Sequence, residues 1–132
     1  MKTLAPKKVL IVDDEHDIVE LVAYNLRKEG YTVFTATDGV MGLDIARQEQ
    51  PDLVVLDVMM PGYDGFEVCR MIRQTPHIAN TSIVFLTAKS SEIDQILGLE
   101  LGADDYIQKP VSPRVLVARV KSVIRRANEQ IR

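Results

Sequence analysis

Residues 53–57 read LVVLD, an apolar run that ends in an acid, and residues 9–14 read VLIVDD, which ends in two acids. Continuous apolar runs of this length are typical of strands buried in a parallel sheet. If the two runs are neighbouring strands, Asp13, Asp14 and Asp57 meet at one edge of that sheet. Carboxylates this close repel one another, and proteins keep such clusters mainly where a cation or a phosphoryl group requires them. The pattern therefore predicts a parallel sheet with an acidic site at its edge.

Short apolar runs and helical patterns alternate along the rest of the chain. We predict strands over residues 9–12, 32–35, 53–56, 83–86 and 106–107. Apolar residues at helical spacing predict helices over residues 17–29, 40–48, 65–74, 92–101 and 114–126. Asp17 is the better candidate to cap the first helix, and Gly30 is placed to end it in a left-handed conformation. The alternation predicts an α/β fold, a doubly wound (βα)5 sheet of five parallel strands with helices on both faces.

Length and composition indicate one domain. A chain of 132 residues with 46% hydrophobic residues can bury one sizeable core. We expect a single domain over residues 1–132, with an ordered core at about 7–127 and loose ends at residues 2–6 and 128–132.

Charge and hydropathy exclude two classes of function. The net charge of −3 and the pI near 5.4 predict no direct binding of nucleic acid by this chain. No apolar run approaches the roughly 20 residues of a membrane span. Residues 1–8 also lack the apolar stretch of a signal peptide. We therefore expect no membrane contact and a cytoplasmic location.

Each candidate site residue also has an ordinary structural explanation. Asp13 and Asp14 could form a turn or cap a helix, and Asp57 could be a loop acid ahead of the turn at residues 61–62. Thr87 could cap the next segment, and Lys109 could be a solvated surface lysine. All five nevertheless follow predicted strands, and the carboxyl ends of parallel strands share one edge, where ligands bind.

Taken together, these residue types suit phosphoryl chemistry with a metal ion. Mg²⁺ prefers oxygen ligands and is usually held by one or two carboxylates, with water and phosphate oxygens completing its octahedron. A carboxylate can also act as the nucleophile towards a phosphoryl group. A lysine supplies a positive charge for one phosphoryl oxygen, and a threonine hydroxyl can donate a hydrogen bond to another.

Four motifs in this order resemble the receiver domain of response regulators in two-component signalling, whose fold is flavodoxin-like and CheY-like. They are VDDE at residues 12–15, LDVMMP at 56–61, LTA at 86–88 and KP at 109–110. The resemblance covers nearly the whole chain. It implies a phosphorylation-activated switch rather than an enzyme, with Asp57 as the phosphoacceptor. It also implies that Mg²⁺ is the cofactor, with Asp14 as a direct ligand, Asp13 as a ligand mainly through water, and the main-chain carbonyl of Met59 completing the set.

The same resemblance assigns roles to residues on the last two strands. Thr87 would move towards the phosphoryl group, Lys109 would pair with it, and Tyr106 would turn inward once Thr87 moves. The peptide bond at residues 109–110 would be cis. For Tyr106, the residues alone favour a half-buried strand tyrosine whose hydroxyl lies in water.

The resemblance also implies partners. The phosphoryl donor would be a sensor histidine kinase or a phosphotransfer protein, within a phosphorelay, and the face formed by helix four, strand five and helix five would control an output. The sequence is most similar to the receivers of winged-helix transcription regulators, which dimerise through that face. The positions that carry their cross-subunit ion pairs hold Glu100, Asp105, Arg119 and Lys121. Gln95 and Val115 depart from the pattern, since they replace one such pair with neutral residues.

Two rival functions fit the sequence less well. Phosphatases with an aspartate nucleophile generally place a second aspartate two residues later, where this chain has Met59. A nucleotide-binding loop after the first strand would need glycine, and residues 13–16 offer negative charge instead.

The resemblance to receiver domains also implies that Met59 and Lys89 flank the path of the water that attacks the phosphoryl group. Because an apolar Met59 cannot orient that water, we predict slow autodephosphorylation.

Overall fold

The computed structural model describes residues 5–130 and contains one sheet of five parallel strands. The strands are β1 (Lys8–Val12), β2 (Thr32–Ala36), β3 (Leu53–Leu56), β4 (Ser82–Thr87) and β5 (Asp105–Gln108). Their order is β2-β1-β3-β4-β5, which confirms the predicted doubly wound (βα)5 fold. The direction of winding reverses between β1 and β3. The carboxyl ends of these two strands therefore form the crevice in which such sheets bind ligands.

Five α-helices connect and follow the strands. They are α1 (His16–Lys28), α2 (Gly39–Glu49), α3 (Gly65–Arg73), α4 (Glu92–Glu100) and α5 (Pro113–Gln130). A short 3₁₀ helix at Pro76–Ile78 was not predicted. Within residues 5–130, none of the helices combines the length and the apolar composition needed to cross a membrane.

Most helix ends differ from the prediction by no more than one residue, and the end of α5 differs by more. Asp17 lies inside the first turn of α1, and the N-cap position belongs to Glu15, so the predicted cap is wrong. Gly30 does adopt a left-handed conformation, with φ of 95°. The last helix continues past its predicted end to Gln130. The predicted loose ends at residues 2–4 and 131–132 lie outside the described residues.

Alternate residues of the strands face two separate core layers. Val9 and Ile11 of β1 pack in the layer that contains α1 and α5, together with residues such as Leu116. Leu10 and Val12 pack in the opposite layer, with residues from α2 and α3. Burying one such side chain contributes about 1.5–3 kcal/mol. Because both faces of the strand are covered, the sequence of β1 is apolar throughout rather than alternating.

Arg73, at the end of α3, binds main-chain carbonyls at the amino ends of strands β4 and β5. Its guanidinium donates hydrogen bonds to the carbonyl oxygens of Ala79 at 2.9 Å, Thr81 at 2.6 Å and Gly102 at 2.6 Å. It also lies 3.8 Å from the carboxylate of Asp104. That carboxylate accepts a hydrogen bond from the main-chain N–H of the second residue of β4. The beginnings of β4 and β5 are therefore held together.

Candidate functional site

Three carboxylates converge at the carboxyl ends of β1 and β3. Asp13 and Asp14 directly follow β1, and Asp57 directly follows β3. One oxygen from each residue lies within 4.8 Å of the others, with Asp13 and Asp57 buried and Asp14 exposed. The Asp57 N–H donates to the Val12 carbonyl at 3.0 Å, which extends the pairing of β1 with β3 into the site. The structure thus brings together the acids that the sequence predicts to meet.

The loop after β3 holds Asp57 in a fixed orientation. Its Oδ1 accepts a hydrogen bond from the Met59 N–H at 3.1 Å. A Cβ atom at Gly65 would lie 2.2 Å from the Asp57 carbonyl oxygen, so only glycine allows α3 to begin this close to the site. Asp64 caps α3 in a reciprocal capping box with Glu67, which fixes where that helix starts.

Lys109 supplies the positive charge that the acids require. It follows β5, and its N–H donates to the Thr87 carbonyl at 2.8 Å. Its Nζ donates to Asp13 at 2.8 Å, to Glu15 at 2.9 Å and to Asp57 at 3.2 Å. The peptide bond from Lys109 to Pro110 is cis, as the resemblance implies. The lysine is therefore a member of the site and not a solvated surface residue.

Burial and charge act in opposite directions on these groups. Burial raises the pKa of the Asp13 carboxyl above its ordinary value, although the hydrogen bond from Lys109 opposes this shift. Burial also disfavours the charged form of Lys109, but its hydrogen bonds to Asp13 and Glu15 outweigh that effect and raise its pKa. The lysine therefore stays protonated as the counter-charge of the cluster.

Thr87 and Tyr106 both form hydrogen bonds with the main chain of Lys89. Thr87 is the last residue of β4, is fully buried, and accepts a hydrogen bond from the Lys89 N–H at 3.1 Å through Oγ1. The half-buried Tyr106 donates from its hydroxyl to the Lys89 carbonyl at 2.5 Å. The expectation that this hydroxyl lies in water is wrong, because the loop after β4 brings a main-chain acceptor within reach. Burial raises the pKa of Tyr106 to about 12.

The Tyr106 ring occupies a slot between β4 and α4. Its centroid lies 5.6 Å from that of Phe85. A Cβ atom at Gly98 would lie 2.8 Å from the ring carbon Cδ2, so the slot exists because this position of α4 has no side chain. The position of the tyrosine ring and the packing of α4 are therefore coupled.

Glu15 is the site residue that the sequence analysis missed. Its contact with Lys109 joins the end of β1 to the end of β5. The available signal was the third consecutive acid of the VDDE motif, which was read only as part of a negatively charged turn.

The four residues matched to cross-subunit ion pairs behave differently from one another. Asp105 pairs with Arg119 within the chain, at 3.1 Å. Lys121 pairs with Glu29 of the same chain, and Glu100 is exposed. The same face carries exposed apolar side chains, namely Ile93, Ile96 and Leu99 on α4 and Val115 on α5.

The donor set fits Mg²⁺. The acid cluster offers three carboxylates whose oxygens lie close enough to share one ion. Two of them are buried, which disfavours leaving their charges without a cation. A hard cation of small radius prefers such oxygen ligands. Because Asp14 is exposed, water can also complete the coordination.

Comparison with known proteins identifies similar domains. The family model described as the response regulator receiver domain matches residues 9–121. The BeF3-activated N-terminal receiver domain of RstA from Klebsiella pneumoniae is 38% identical, covers 90% of this chain and 99% of its own, and superposes with a TM-score of 0.83. The chemotaxis protein CheY4 of Vibrio cholerae is 34% identical, with coverage of 90% and 99% and a TM-score of 0.86.

A longer relative matches over part of its length. The response regulator DrrB of Thermotoga maritima, an OmpR/PhoB homologue, is 39% identical with a TM-score of 0.81. The match covers 92% of this chain and 54% of DrrB. The chain is thus similar both to single receivers and to the receiver part of a larger regulator.

Proposed function

Because the chain belongs to the response regulator receiver domain family, we propose that Asp57 is the residue on which it accepts the phosphoryl group. Receivers of this family are switches driven by phosphorylation, and they take the group from histidine kinases. The observation that carries the assignment to Asp57 is its position. It is a buried carboxylate at the end of β3, within hydrogen-bond reach of the Lys109 ammonium.

The proposed reaction is an attack of one Asp57 carboxylate oxygen on the phosphorus of a phosphohistidine. The new P–O bond forms as the P–N bond breaks, and the leaving imidazole takes a proton. The Met59 N–H donates to Oδ1 of Asp57, while Lys109 contacts Oδ2. These hydrogen bonds hold the carboxylate in one orientation during the attack.

The metal would be held by Asp13, Asp14 and Asp57, with the main-chain carbonyl of Met59 as a further ligand. Mg²⁺ bound there would offset the negative charge of the phosphoryl donor and acceptor. Removal of Mg²⁺ with EDTA should therefore abolish phosphorylation.

Lys109 and Thr87 would bind the phosphoryl oxygens. Lys109 already donates to Asp57, so a short movement brings its ammonium to a phosphoryl oxygen. The Thr87 oxygen accepts the Lys89 N–H, and a hydroxyl that accepts one hydrogen bond can also donate one, here to a phosphoryl oxygen. Phosphorylation adds about −1.5 to −2 charges and three strong acceptors, which favour the state in which both residues are engaged.

The conformational change that follows phosphorylation would pass from the site to α4 and β5. Thr87 binds the main-chain N–H of Lys89 and Tyr106 binds the carbonyl of the same residue, so a movement of Thr87 would reach the tyrosine and the α4 face. We propose that this α4–β5–α5 face controls an output, through a phosphorylation-dependent homodimer or another partner. We also propose that the chain forms one receiver domain over residues 1–132 and acts in the cytoplasm.

The kinase or phosphotransfer partner would dock beside the acids. A groove of about 250 Å³ lies between α1 and the segment that follows β5, and apolar side chains line it. They include Ile18 and Leu21 on α1, and Val111 and Leu116 on the other side. An apolar groove at the rim of the site suits the helix that would carry the phosphohistidine.

The test is incubation with acetyl phosphate and Mg²⁺, followed by intact mass measurement and Phos-tag electrophoresis. We expect the wild type to gain the mass of one phosphoryl group and Asp57→Asn to gain none. Asp44→Asn is the matched control, since Asp44 lies on α2 and pairs with Arg47 of the same helix. This control should be phosphorylated like the wild type. A phosphoryl adduct that persists in Asp57→Asn would refute the assignment.

A further inference from the structure

Glu15 contacts Lys109 but plays no part in the proposed phosphotransfer. The bond from Lys109 Nζ to Glu15 Oε1 is 2.9 Å long, shorter than the 3.2 Å bond from the same ammonium to Asp57. The Glu15 side chain is 61% exposed, whereas those of Asp13 and Asp57 are 4% exposed. Glu15 therefore holds the ammonium from the solvent side of the site, opposite the buried acids.

Glu15 also stands apart from the carboxylates that suit a metal ion. Among the described residues, the group that could hold a metal contains Asp13, Asp14 and Asp57. Asp13 and Asp57 therefore have two tasks, because each contacts Lys109 and each belongs to the metal group. Within residues 5–130, Lys109 is the one cation that Glu15 contacts, and Glu15 lies outside the metal group.

The position of Glu15 in the chain supports a dedicated role. It is the N-cap residue of α1, where a side chain usually accepts a hydrogen bond from the first turn of the helix. Within the part of the chain that the structure describes, its side chain makes no such capping bond and reaches Lys109 instead. Its N–H donates to Asp13 Oδ1 at 2.9 Å, which fixes its main chain to the site.

We propose that Glu15 is a positioning residue for the phosphotransfer, which keeps the Lys109 ammonium at the site when a metal and a phosphoryl group engage Asp13 and Asp57. The inference rests on the proposed role of Asp57. A lysine has a flexible stem and loses much rotamer freedom when it is fixed. An anchor outside the metal group holds the ammonium near Asp57 throughout the reaction.

A double-mutant cycle tests this role. The rate constant for phosphorylation by acetyl phosphate and Mg²⁺ is measured for the wild type, Glu15→Gln, Lys109→Ala and the double variant. Since exposed ion pairs contribute little, we expect Glu15→Gln to slow the reaction by about two- to fivefold. In the Lys109→Ala background the same change should have no effect. Equal slowing in both backgrounds, or no slowing in the first, would overturn the proposal.

The matched control is Glu20→Gln, the same chemical change at an exposed position of the same helix. Its rate should equal that of the wild type, and slowing as large as that of Glu15→Gln would overturn the proposal. Phosphorylation of the wild type separates a failure of the proposed function from a failure of the role proposed for Glu15. If it takes no phosphoryl group, the proposed function fails; if it does and Glu15→Gln is unchanged, only the role of Glu15 fails.

A spectroscopic measurement tests the contact between Glu15 and Lys109 in the absence of phosphorylation. The ¹H–¹⁵N signal of the Lys109 ammonium is recorded by NMR in the absence of a phosphoryl donor, and Mg²⁺ is then added. We expect the signal to persist with Mg²⁺ in the wild type and to be lost by exchange with water in Glu15→Gln. The same behaviour in both proteins would contradict the proposed anchor.

Discussion

The Lys109 ammonium has three hydrogens, and the site offers a carboxylate oxygen to each of them. A buried charge is costly unless it is paired and hydrogen-bonded. The two buried acids, Asp13 and Asp57, therefore depend on Lys109, and the lysine depends on them. Removing Lys109 would leave both buried acids without the ammonium that compensates their charge.

We expect the side chain of Met59 to affect how water reaches the phosphorylated site. It is 56% exposed and lies two residues after Asp57, whose carboxylate its N–H contacts. An apolar side chain there cannot orient an attacking water. We predict that Met59→Asn shortens the lifetime of the phosphorylated protein roughly fivefold, the effect of one hydrogen bond of about 1 kcal/mol. The decay of the phosphorylated band on Phos-tag gels measures this lifetime.

Met59→Leu is the matched control for that experiment. It keeps an apolar side chain at the same place, so its phosphoryl lifetime should equal that of the wild type. A lifetime shortened equally by leucine and asparagine would mean that shape, and not the ability to orient water, matters at this position.

Tyr106 should make the stability of the protein sensitive to alkaline pH. Its pKa is about 12 in the folded protein, above the ordinary value of 10.0, because burial disfavours the phenolate. Above pH 10 the unfolded chain loses this proton while the folded chain keeps it. The free energy of unfolding should therefore fall as the pH rises from 10 to 12. Urea unfolding at several pH values measures this slope, which should be shallower in Tyr106→Phe and would contradict the prediction if unchanged.

At the scale of elements, the polarity of the end residues decides how well the sequence predicts each strand boundary. The strand β3 matches its predicted bounds because both of its faces are covered and all four of its residues are apolar. The edge strand β5 has polar ends, so only residues 106–107 were predicted where Asp105–Gln108 is observed. The start of α1 was also misplaced, because the side chain at its N-cap is bound elsewhere.

Gly98 couples the packing of α4 to the position of the Tyr106 ring. Alanine usually stabilises a helix interior relative to glycine by about 0.5–1 kcal/mol. Here an added Cβ would lie 2.8 Å from the Tyr106 ring, which must then leave its slot and give up its hydrogen bond to Lys89. We predict that Gly98→Ala lowers the free energy of unfolding by about 1 kcal/mol, measured by urea denaturation.

The control for Gly98→Ala is the same substitution in a variant that lacks the Tyr106 ring. In Tyr106→Ala the clash is absent, so the same substitution should stabilise the protein by about 0.5–1 kcal/mol through helix propensity alone. A stabilising effect of Gly98→Ala in the wild type as well would show that the ring does not fill the slot in solution.

At the scale of the whole molecule, the α4–β5–α5 face carries the residues that the resemblance matches to cross-subunit ion pairs. The charged pairs expected between subunits are partly satisfied inside the chain, as for Asp105 with Arg119. The face also exposes apolar side chains, including Ile96 and Val115. An interface built here would depend more on apolar burial than on ion pairs, which contribute about 0–1 kcal/mol each when exposed.

We predict that beryllofluoride with Mg²⁺ converts a monomer into a homodimer through this face. Sedimentation velocity at tens of micromolar protein, with and without the two reagents, measures the change. Ile96→Asp should leave the treated protein monomeric, because it places a charge in the apolar patch. Val40→Asp, a change at an exposed apolar residue of α2, should dimerise like the wild type. Monomers in every sample would contradict the prediction.

The sequence predicts the composition of the site better than its contacts. Asp13, Asp14, Asp57, Thr87 and Lys109 all end or follow strands, and a parallel sheet necessarily brings such residues to one edge. The contact from Glu15 to Lys109 could not be predicted, since it depends on the direction of one side chain at a helix start. The hydrogen bond from Tyr106 to the Lys89 carbonyl likewise depends on the path of a loop.

The hydrogen bonds of Arg73 restrain one end of the pair of strands β4 and β5. Its guanidinium joins the beginnings of β4 and β5, whereas Thr87 and Lys109 stand at their far ends. Since β4 is six residues long, the clamped end lies roughly 20 Å from the site. We therefore expect the strand pair to be held most firmly at the Arg73 end. A displacement at Thr87 would then be largest beside α4 and smaller towards Arg73, so its effect would reach the surface at α4.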